Sequence, residues 1–144
     1  MAIWKIAQTL EQLNEIQRKT LSQHVGIQIT EIGADFLRGR MPVDERTKQP
    51  AGLLHGGASV ALAETLGSVA STLCLAPGTQ CVGLEINANH IRAARSGHVV
   101  GTARPVHIGS RTHVWTIDIT TEEGKIVCVS RLTLAIIDTG LLAQ

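Results

Sequence analysis

The fold is decided by residues 53–75, LLHGGASVALAETLGSVASTLCL, the longest apolar run in the chain. Strand-forming residues are sparse in this run, and Ala, Leu, Ser and Gly dominate it, so its length predicts a helix. His55 and Glu64 interrupt it, and a carboxylate near the middle argues for a buried helix of a soluble protein rather than a membrane span. Because such a helix has no polar face to offer water, it must be covered on nearly every side.

The segments around this helix predict what covers it. The capping box at residues 9–12, TLEQ, predicts a short N-terminal helix of about ten residues. Two strand-like runs follow, and the turn residues between them indicate a β-hairpin over residues 27–43. Four more runs of strand character come after the apolar helix, at residues 81–91, 98–108, 113–121 and 126–137.

Consecutive strands joined by short turns form antiparallel sheets. In the first of the four runs, one face of the strand is expected to carry Val82, Leu84, Ile86 and Ala88. We therefore predict an α+β fold, a curved antiparallel β-sheet wrapped around one long central helix, with a short N-terminal helix. Residues 1–144 are expected to form a single domain, and a second subunit is expected to cover the side of the helix that the sheet leaves open.

The overall composition excludes several classes of protein. The chain carries 13 Lys and Arg against 12 Asp and Glu, a net charge of +1, with two Trp, one Phe and no Tyr. A nucleic-acid-binding surface needs a basic face and stacking aromatic side chains, so that function is not expected. The three cysteines lie in apolar stretches, which is typical of reduced core residues in a cytoplasmic protein. The six histidines show no metal-ligand spacing, so no metal site is expected.

Glu64 is the only formally charged residue between Gln49 and Leu84. On a helix, the face around it is small or hydroxylic and consists of Gly57, Val60, Ala61, Gly67, Ser68 and Ser71. The opposite face is expected to pack on the sheet and consists of Leu62, Leu66, Val69 and Leu73. A carboxylate beside an open face of an apolar helix is a candidate base or nucleophile. A structural carboxylate paired with Arg92 or Arg131 fits the residues equally well.

His55, Gly56 and Gly57 stand at the predicted start of the helix. The first backbone N–H groups of a helix have no helical partner and lie at the positive end of its dipole. Two glycines allow a ligand to approach the backbone closely, which suits a polarised carbonyl oxygen or an oxyanion. An ordinary glycine-rich helix entry is the commoner meaning of this motif, and Gln49 could add a hydrogen bond in the same region.

His90 and Arg92 lie where a predicted strand becomes polar, which indicates either the mouth of a site or a strand leaving the core. The turn Gly109-Ser110-Arg111 offers a hydroxyl and a guanidinium, and with Arg92 it could bind phosphate. A plain hairpin with a solvated arginine explains the same residues more simply.

Three stretches carry a resemblance to a known family: MPVDERTKQPAGLLHGGASVALAETLGSVA (41–70), VGLEINANHIRAARSG (82–97) and PVHIGSRTHVWTIDI (105–119). They resemble the hotdog-fold acyl-CoA thioesterases, and in particular the bacterial branch that acts on aromatic acyl groups. The resemblance implies the hotdog fold and hydrolysis of an acyl-CoA, such as 1,4-dihydroxy-2-naphthoyl- or hydroxybenzoyl-CoA, to free acid and CoA without a cofactor. The chain departs from this pattern at Ala51, where the resemblance predicts Phe.

The resemblance also implies roles for individual residues. Glu64 would be the nucleophile or the general base, while His55 and the backbone N–H of Gly56 would polarise the thioester carbonyl. Gln49 and Ser68 would position the reacting group or water. The coenzyme A side of the cleft would be formed by His90, Arg92, Ser110 and Arg111.

Other functions compatible with this fold stay open. A hotdog-fold dehydratase pairs a histidine with a carboxylate, and a non-catalytic acyl-CoA-binding module needs no buried Glu64. A misacylated acyl- or aryl-carrier protein is an alternative substrate.

The spacing of Gly56 and Glu64 predicts a homodimer. Eight residues along one helix correspond to roughly 12 Å, whereas attack on a carbonyl needs contact near ~3–3.5 Å. An antiparallel copy of the helix would place its Glu64 beside this Gly56, which gives two shared sites at a two-fold interface. The resemblance implies that such dimers pair further into a homotetramer.

Overall fold

The computed structural model describes residues 1–142, in which a six-stranded antiparallel sheet curves around one long helix. The helices are α1 (Leu10–Ile16), α2 (Leu21–His24), α3 (Gly56–Leu73) and a final 3-10 turn (Thr139–Leu142). The strands are β1 (Gln28–Ile32), β2 (Leu37–Pro42), β3 (Thr79–His90), β4 (His98–Ile108), β5 (Thr112–Thr121) and β6 (Ile126–Asp138). They lie in the order β1-β2-β4-β5-β6-β3, so the predicted α+β architecture is confirmed.

Helix α3 is shorter than the apolar run that predicted it. It begins after His55, whose imidazole accepts a hydrogen bond from the backbone N–H of Gly57 at 2.8 Å and caps the helix. Leu54 lies outside the helix because its N–H donates to the carbonyl of Ala94 and it forms a bridge with Lys48. In the part of the chain that the structure describes, no helix has the length and apolarity needed to cross a bilayer.

The concave face of the sheet packs on one side of α3. Leu62 and Leu66 of the helix are fully buried there, against strand residues such as Ile117 and Leu132. Leu66 reaches the strands because Gly101 has no side chain, and a β-carbon at that position would lie 2.7 Å from Leu66 Cδ1. Burying these large aliphatic side chains is the main stabilising contribution to this layer.

The predicted division of α3 into two faces is wrong at two positions. Gly67 and Ser71 are buried under the sheet instead of lying beside Glu64, whereas Val69 packs against the core as predicted and also lines the open side. A β-carbon on Gly67 would lie 2.6 Å from Leu132, so glycine is what allows the helix to approach β6 this closely. The helix is therefore rotated so that Gly67 and Ser71 permit close packing on the sheet, while Ser68 lies on the open side.

The N-terminal segment packs across the open side of α3. The capping box of α1 is present as predicted, with reciprocal bonds between Thr9 and Gln12, but the helix has seven residues rather than ten. Asn14 ties it to β1 by bonding both backbone groups of Ile29. Trp4 stacks on the buried Trp115 with the ring centroids 6.4 Å apart, which anchors the start of the chain against the core. The short helix α2 was not predicted.

Strand β3 forms one edge of the sheet and is interrupted by a bulge. Its pairing with β6 shifts register between Gly83 and Glu85, so that Leu84 has no partner and is 62% exposed. The prediction of one continuous face through Leu84 is therefore wrong, since the extra residue reverses the alternation. Beyond the bulge, Ile86 packs against the core as expected.

Candidate active site

Glu64 and Ser68 lie in a groove of about 470 Å³ between the outer side of α3 and the N-terminal segment, here named the Glu64 groove. The helix supplies Glu64 and three hydroxyl side chains together with Val69 and Leu73, and the N-terminal segment supplies an apolar wall of Ile6, Leu13 and Ile16 beside three polar residues. Its lining is Ile6, Gln8, Leu13, Ile16, Gln17, Ser22, Glu64, Thr65, Ser68, Val69, Thr72, Leu73 and Cys81. A carboxylate facing an apolar wall is suited to meet the acyl part of a ligand.

The carboxylate of Glu64 is partly buried and is not held by other groups. Within residues 1–142 it makes no hydrogen bond and no ion pair, so the alternative pairing with Arg92 or Arg131 is not formed. It lies against the edge strand, where a β-carbon on Gly83 would come within 2.5 Å of Oε1. An unpaired carboxylate at a groove wall is available to act on a ligand.

The start of α3 lies in a second groove, of about 350 Å³, here named the Gly56 groove. It brings together four of the predicted site residues, since its lining is Gln49, Leu53, Leu54, Gly56, Ser59, His90, Ile91, Arg92, Ala93 and Val127. The imidazole of His90 packs directly on Gly56. The structure thus brings the start of the helix and the polar end of β3 together.

Two groups in the Gly56 groove remain able to bind a ligand. The N–H of Gly57 is taken by His55, whereas the N–H of Gly56 has no partner among the described residues. The side-chain oxygen of Gln49 accepts a bond from the N–H of Ala51, which leaves the carboxamide NH₂ as its donor. A backbone N–H and a carboxamide donor can together polarise a carbonyl oxygen.

The turn with Ser110 and Arg111 lies far from Arg92 within one chain. His113, which follows this turn, contacts Ser71 near the end of α3, whereas Arg92 lies near Gly56 at its start. Ser71 is fifteen residues beyond Gly56, which corresponds to about 22 Å along the helix axis. The side chains of Ser110 and Arg111 are exposed, and the carbonyl of Arg111 accepts a bond from Ile136. Arg92 and this turn, which were expected to lie side by side, are therefore not in contact within one subunit.

A buried polar cluster joins this turn to α3. The hydroxyl of Ser71 accepts a hydrogen bond from Trp115 Nε1 at 2.7 Å and lies 3.2 Å from Nδ1 of His113. Burial lowers the pKa of His113 below its ordinary value of 6.5, and a hydrogen bond with the backbone of Gly109 acts in the opposite direction. Desolvation disfavours the imidazolium, so His113 is held neutral between the helix and the turn.

The sequence missed Gly83 and the N-terminal wall of the Glu64 groove. A single glycine within a strand pattern is a known signal for a bulge or a close approach, and that signal was present at position 83. The capping box at residues 9–12 indicated a helix but carried no information on where the helix would pack. Among residues 1–142, no three His, Cys, Asp or Glu side chains cluster as metal ligands would.

Comparison with known proteins places the chain in a family. Residues 51–128 match the family model of the thioesterase superfamily. The chain is 54% identical over 135 residues to the 1,4-dihydroxy-2-naphthoyl-CoA hydrolase of Escherichia coli, covering 94% of this chain and 99% of the relative. It is 51% identical over 134 residues to the proofreading thioesterase EntH of Cronobacter turicensis, covering 93% and 98% of the two chains.

A solved structure agrees with this assignment. The crystal structure of a thioesterase from Haemophilus influenzae superposes with a TM-score of 0.93 at 54% identity, over 94% of this chain and 95% of that one. The sheet wrapped around α3 is thus the hotdog fold, as the resemblance implied. The chain belongs to the thioesterase superfamily, and its activity is the hydrolysis of a thioester.

Proposed function

We propose that this protein hydrolyses acyl-CoA thioesters with an aromatic acyl group, in a homodimer whose two sites are each built from both chains. The observation that carries the proposal is the partly buried, unpaired carboxylate of Glu64 beside an apolar wall. The relatives support the substrate class, since one is named for a naphthoyl-CoA. The three cysteines are free thiols, which supports a reducing, cytoplasmic location.

The reaction needs the two grooves to meet. In one subunit, the Gly56 amide and the Glu64 carboxylate are separated by roughly 12 Å of helix and open into different grooves. An antiparallel second copy of α3 brings Glu64 of the partner subunit to the Gly56 groove. The same antiparallel arrangement shortens the separation along the helix axis between Arg92 and the turn of the partner subunit that corresponds to Gly109–Thr112, which one subunit keeps about 22 Å apart.

In such a site, the thioester carbonyl oxygen accepts hydrogen bonds from the N–H of Gly56 and the carboxamide of Gln49. Glu64 either attacks the carbonyl carbon or removes a proton from water that attacks it, and Ser68 positions that water. The C–S bond then breaks, and the CoA thiolate leaves and takes up a proton. An anhydride formed by direct attack is hydrolysed by water in a second step.

His55 contributes by holding this geometry. Its ring caps α3, so the Gly56 amide is fixed at the helix start and aligned with the positive end of the helix dipole. We assign the contact with the coenzyme A phosphates to four residues. The guanidinium groups of Arg92 and Arg111 offer positive charge, and the side chains of His90 and Ser110 offer hydrogen-bond donors.

A substrate panel tests the proposal. Benzoyl-, hydroxybenzoyl-, phenylacetyl- and dihydroxynaphthoyl-CoA are compared with palmitoyl-CoA by the free thiol that each releases. We expect the highest kcat/KM with an aryl-CoA, and a clear preference for palmitoyl-CoA would contradict the substrate class. An aryl group on a carrier protein forms a separate arm, and a higher kcat/KM there would identify the carrier-bound thioester as the substrate.

The assembly is tested by the mass of the protein in solution. The proposal requires a dimer at least, and light scattering at assay concentration is expected to show a dimer or a tetramer made of two such dimers. An active monomer would contradict the shared site.

A further inference from the structure

Gly83 on the edge strand β3 limits where the Glu64 carboxylate can lie. We propose that Gly83 is a positioning residue for that carboxylate, an inference that rests on the catalytic role proposed for Glu64. Its lack of a side chain lets the carboxylate lie flush against the strand, at the distance from the substrate that the reaction needs.

The contact between the two residues is close and exclusive. A β-carbon built on Gly83 would lie 2.5 Å from Oε1 of Glu64 and 3.7 Å from Cδ, and apart from the two chain neighbours of Gly83 no other described atom lies within 4 Å. The space that an alanine methyl group would need is therefore occupied by the carboxylate alone. One turn farther along α3, the thiol of Cys81 lies 3.7 Å from the carbonyl of Ser68, so β3 follows the helix at this point.

The bulge determines which residue of β3 meets the carboxylate. The register shift between Gly83 and Glu85 leaves Leu84 unpaired and turned outward. Without the extra residue, the alternation of side chains along β3 would be reversed on one side of this point. Bulges in edge strands commonly redirect a side chain near an active site, and here the strand presents a bare backbone to Glu64.

Packing is what fixes the carboxylate within the described chain, because it has no hydrogen-bond or ion-pair partner there. An alanine at position 83 would push the carboxylate oxygen away by about 1 Å, and a misplacement of this size costs about 10²-fold in rate. The group that has to move is the end of a flexible side chain, and Gly83 is absent from the residues with positive φ. The fold should therefore accept the methyl group.

The test compares Gly83→Ala with the parent protein on one aryl-CoA. We expect kcat to fall by about 10²-fold, with KM changed by less than about threefold and the apparent Tm unchanged. Gly101→Ala is the matched control, because Gly101 is also a strand glycine, at which an added β-carbon would lie 2.7 Å from Leu66 Cδ1 of α3. The Gly101→Ala substitution crowds the core, so the apparent Tm of this variant should fall while its kcat per folded protein stays at the parent value.

A double-mutant cycle separates positioning from a general effect on the strand. Glu64→Asp draws the carboxylate back by one methylene, away from position 83, so Gly83→Ala should reduce kcat much less in that background. Equal reductions in both backgrounds would overturn the proposal, as would a Gly83→Ala protein with the parent kcat. Glu64→Gln distinguishes a failure of the proposed function from a failure of the role assigned to Gly83. If it keeps the parent rate, the proposed function fails, and if it is inactive while Gly83→Ala is unaffected, only the role of Gly83 fails.

Discussion

The imidazole of His90 lies so close to Gly56 that a β-carbon on Gly56 would come within 2.8 Å of Nε2. This contact joins the end of the edge strand to the start of the central helix, and a side chain at position 56 would have to displace the His90 ring. Because the Gly56 amide is proposed to bind the thioester carbonyl, the identity of this glycine matters for activity more than for folding.

Gly56→Ala should lower kcat/KM by about 10²-fold while the apparent Tm is kept or raised. The added methyl displaces the His90 ring and crowds the carbonyl site, and a misplacement of about 1 Å there has this cost. Alanine is a better helix former than glycine, so the helix itself should not suffer. Steady-state kinetics and thermal melting measure the two effects. Gly140→Ala, a change into open space, is the control, and parent activity in Gly56→Ala would contradict the role of this amide.

Glu64→Gln should lose at least ~10²-fold in kcat, since it keeps the shape of the side chain and removes its basicity. Circular dichroism and melting should show a folded protein, because the carboxylate has no partner among residues 1–142 that its loss would leave unpaired. Glu85→Gln, an exposed carboxylate on β3, serves as the control and should keep the parent rate. A folded Glu64→Gln protein of near-parent activity would refute the assignment.

Two inactive variants should restore activity when they share a dimer. Glu64→Gln and His55→Ala are unfolded together, refolded and assayed. A mixed dimer contains one site with His55 and Gly56 from one chain and Glu64 from the other, all intact. Half of the dimers are mixed and each has one complete site, so about a quarter of the parent activity is expected.

The His55→Ala chain needs a check of its own, since loss of the helix cap costs about 0.5–2 kcal/mol. Melting of each parent shows that it folds, and native mass spectrometry of differently tagged chains shows that they exchange. If mixed dimers form and no activity returns, each site is built within one chain and the shared-site arrangement is wrong.

The stability of the protein should fall on mild acidification because of His113. Its pKa is lowered in the folded state by burial, with Lys5 and His107 acting in the same direction. The unfolded chain therefore binds a proton below about pH 6.5 more readily than the folded one, and the free energy of unfolding decreases from there toward the lowered pKa. Above pH 6.5 this contribution is fully present.

The measurement is the difference in apparent Tm between about pH 7.5 and pH 5.5. His113→Gln should show a smaller difference than the parent, and His24→Gln, which changes an exposed histidine that does not act on His113, should show the parent difference. An unchanged difference in His113→Gln would mean that the imidazole does not contribute to the acid sensitivity.

Local sequence patterns predicted most helices and strands correctly. The predictions that failed concern features that depend on packing between distant segments. The capping box at Thr9 is a local interaction and is present in the structure. The rotation of α3 depends instead on which helix residues fit the strands, and this buried Gly67 and Ser71 against expectation. The bulge at Leu84 is likewise a property of the pairing with β6, which the spacing of apolar residues along β3 does not record.

The candidate site was predictable in its parts but not in its arrangement. Glu64 stood out because it was the only charge in a long apolar segment, and Gly56 because glycines begin the helix. That Gln49 and His90 meet Gly56 depends on contacts between segments far apart in sequence. The separation of Arg92 from Arg111 within one chain follows from the length of α3, which placed them at opposite ends of the helix.

The apolar wall of the Glu64 groove comes from a different part of the chain than the carboxylate it faces. Ile6, Leu13 and Ile16 lie before residue 51, where the match to the superfamily model begins, whereas Glu64 and Gly56 lie within that match. Mutations in the N-terminal segment can thus reshape the proposed acyl-binding surface while the helix and sheet that carry Glu64 and Gly56 stay intact. This division gives the proposed enzyme a route to a new substrate range that leaves its reacting groups unchanged.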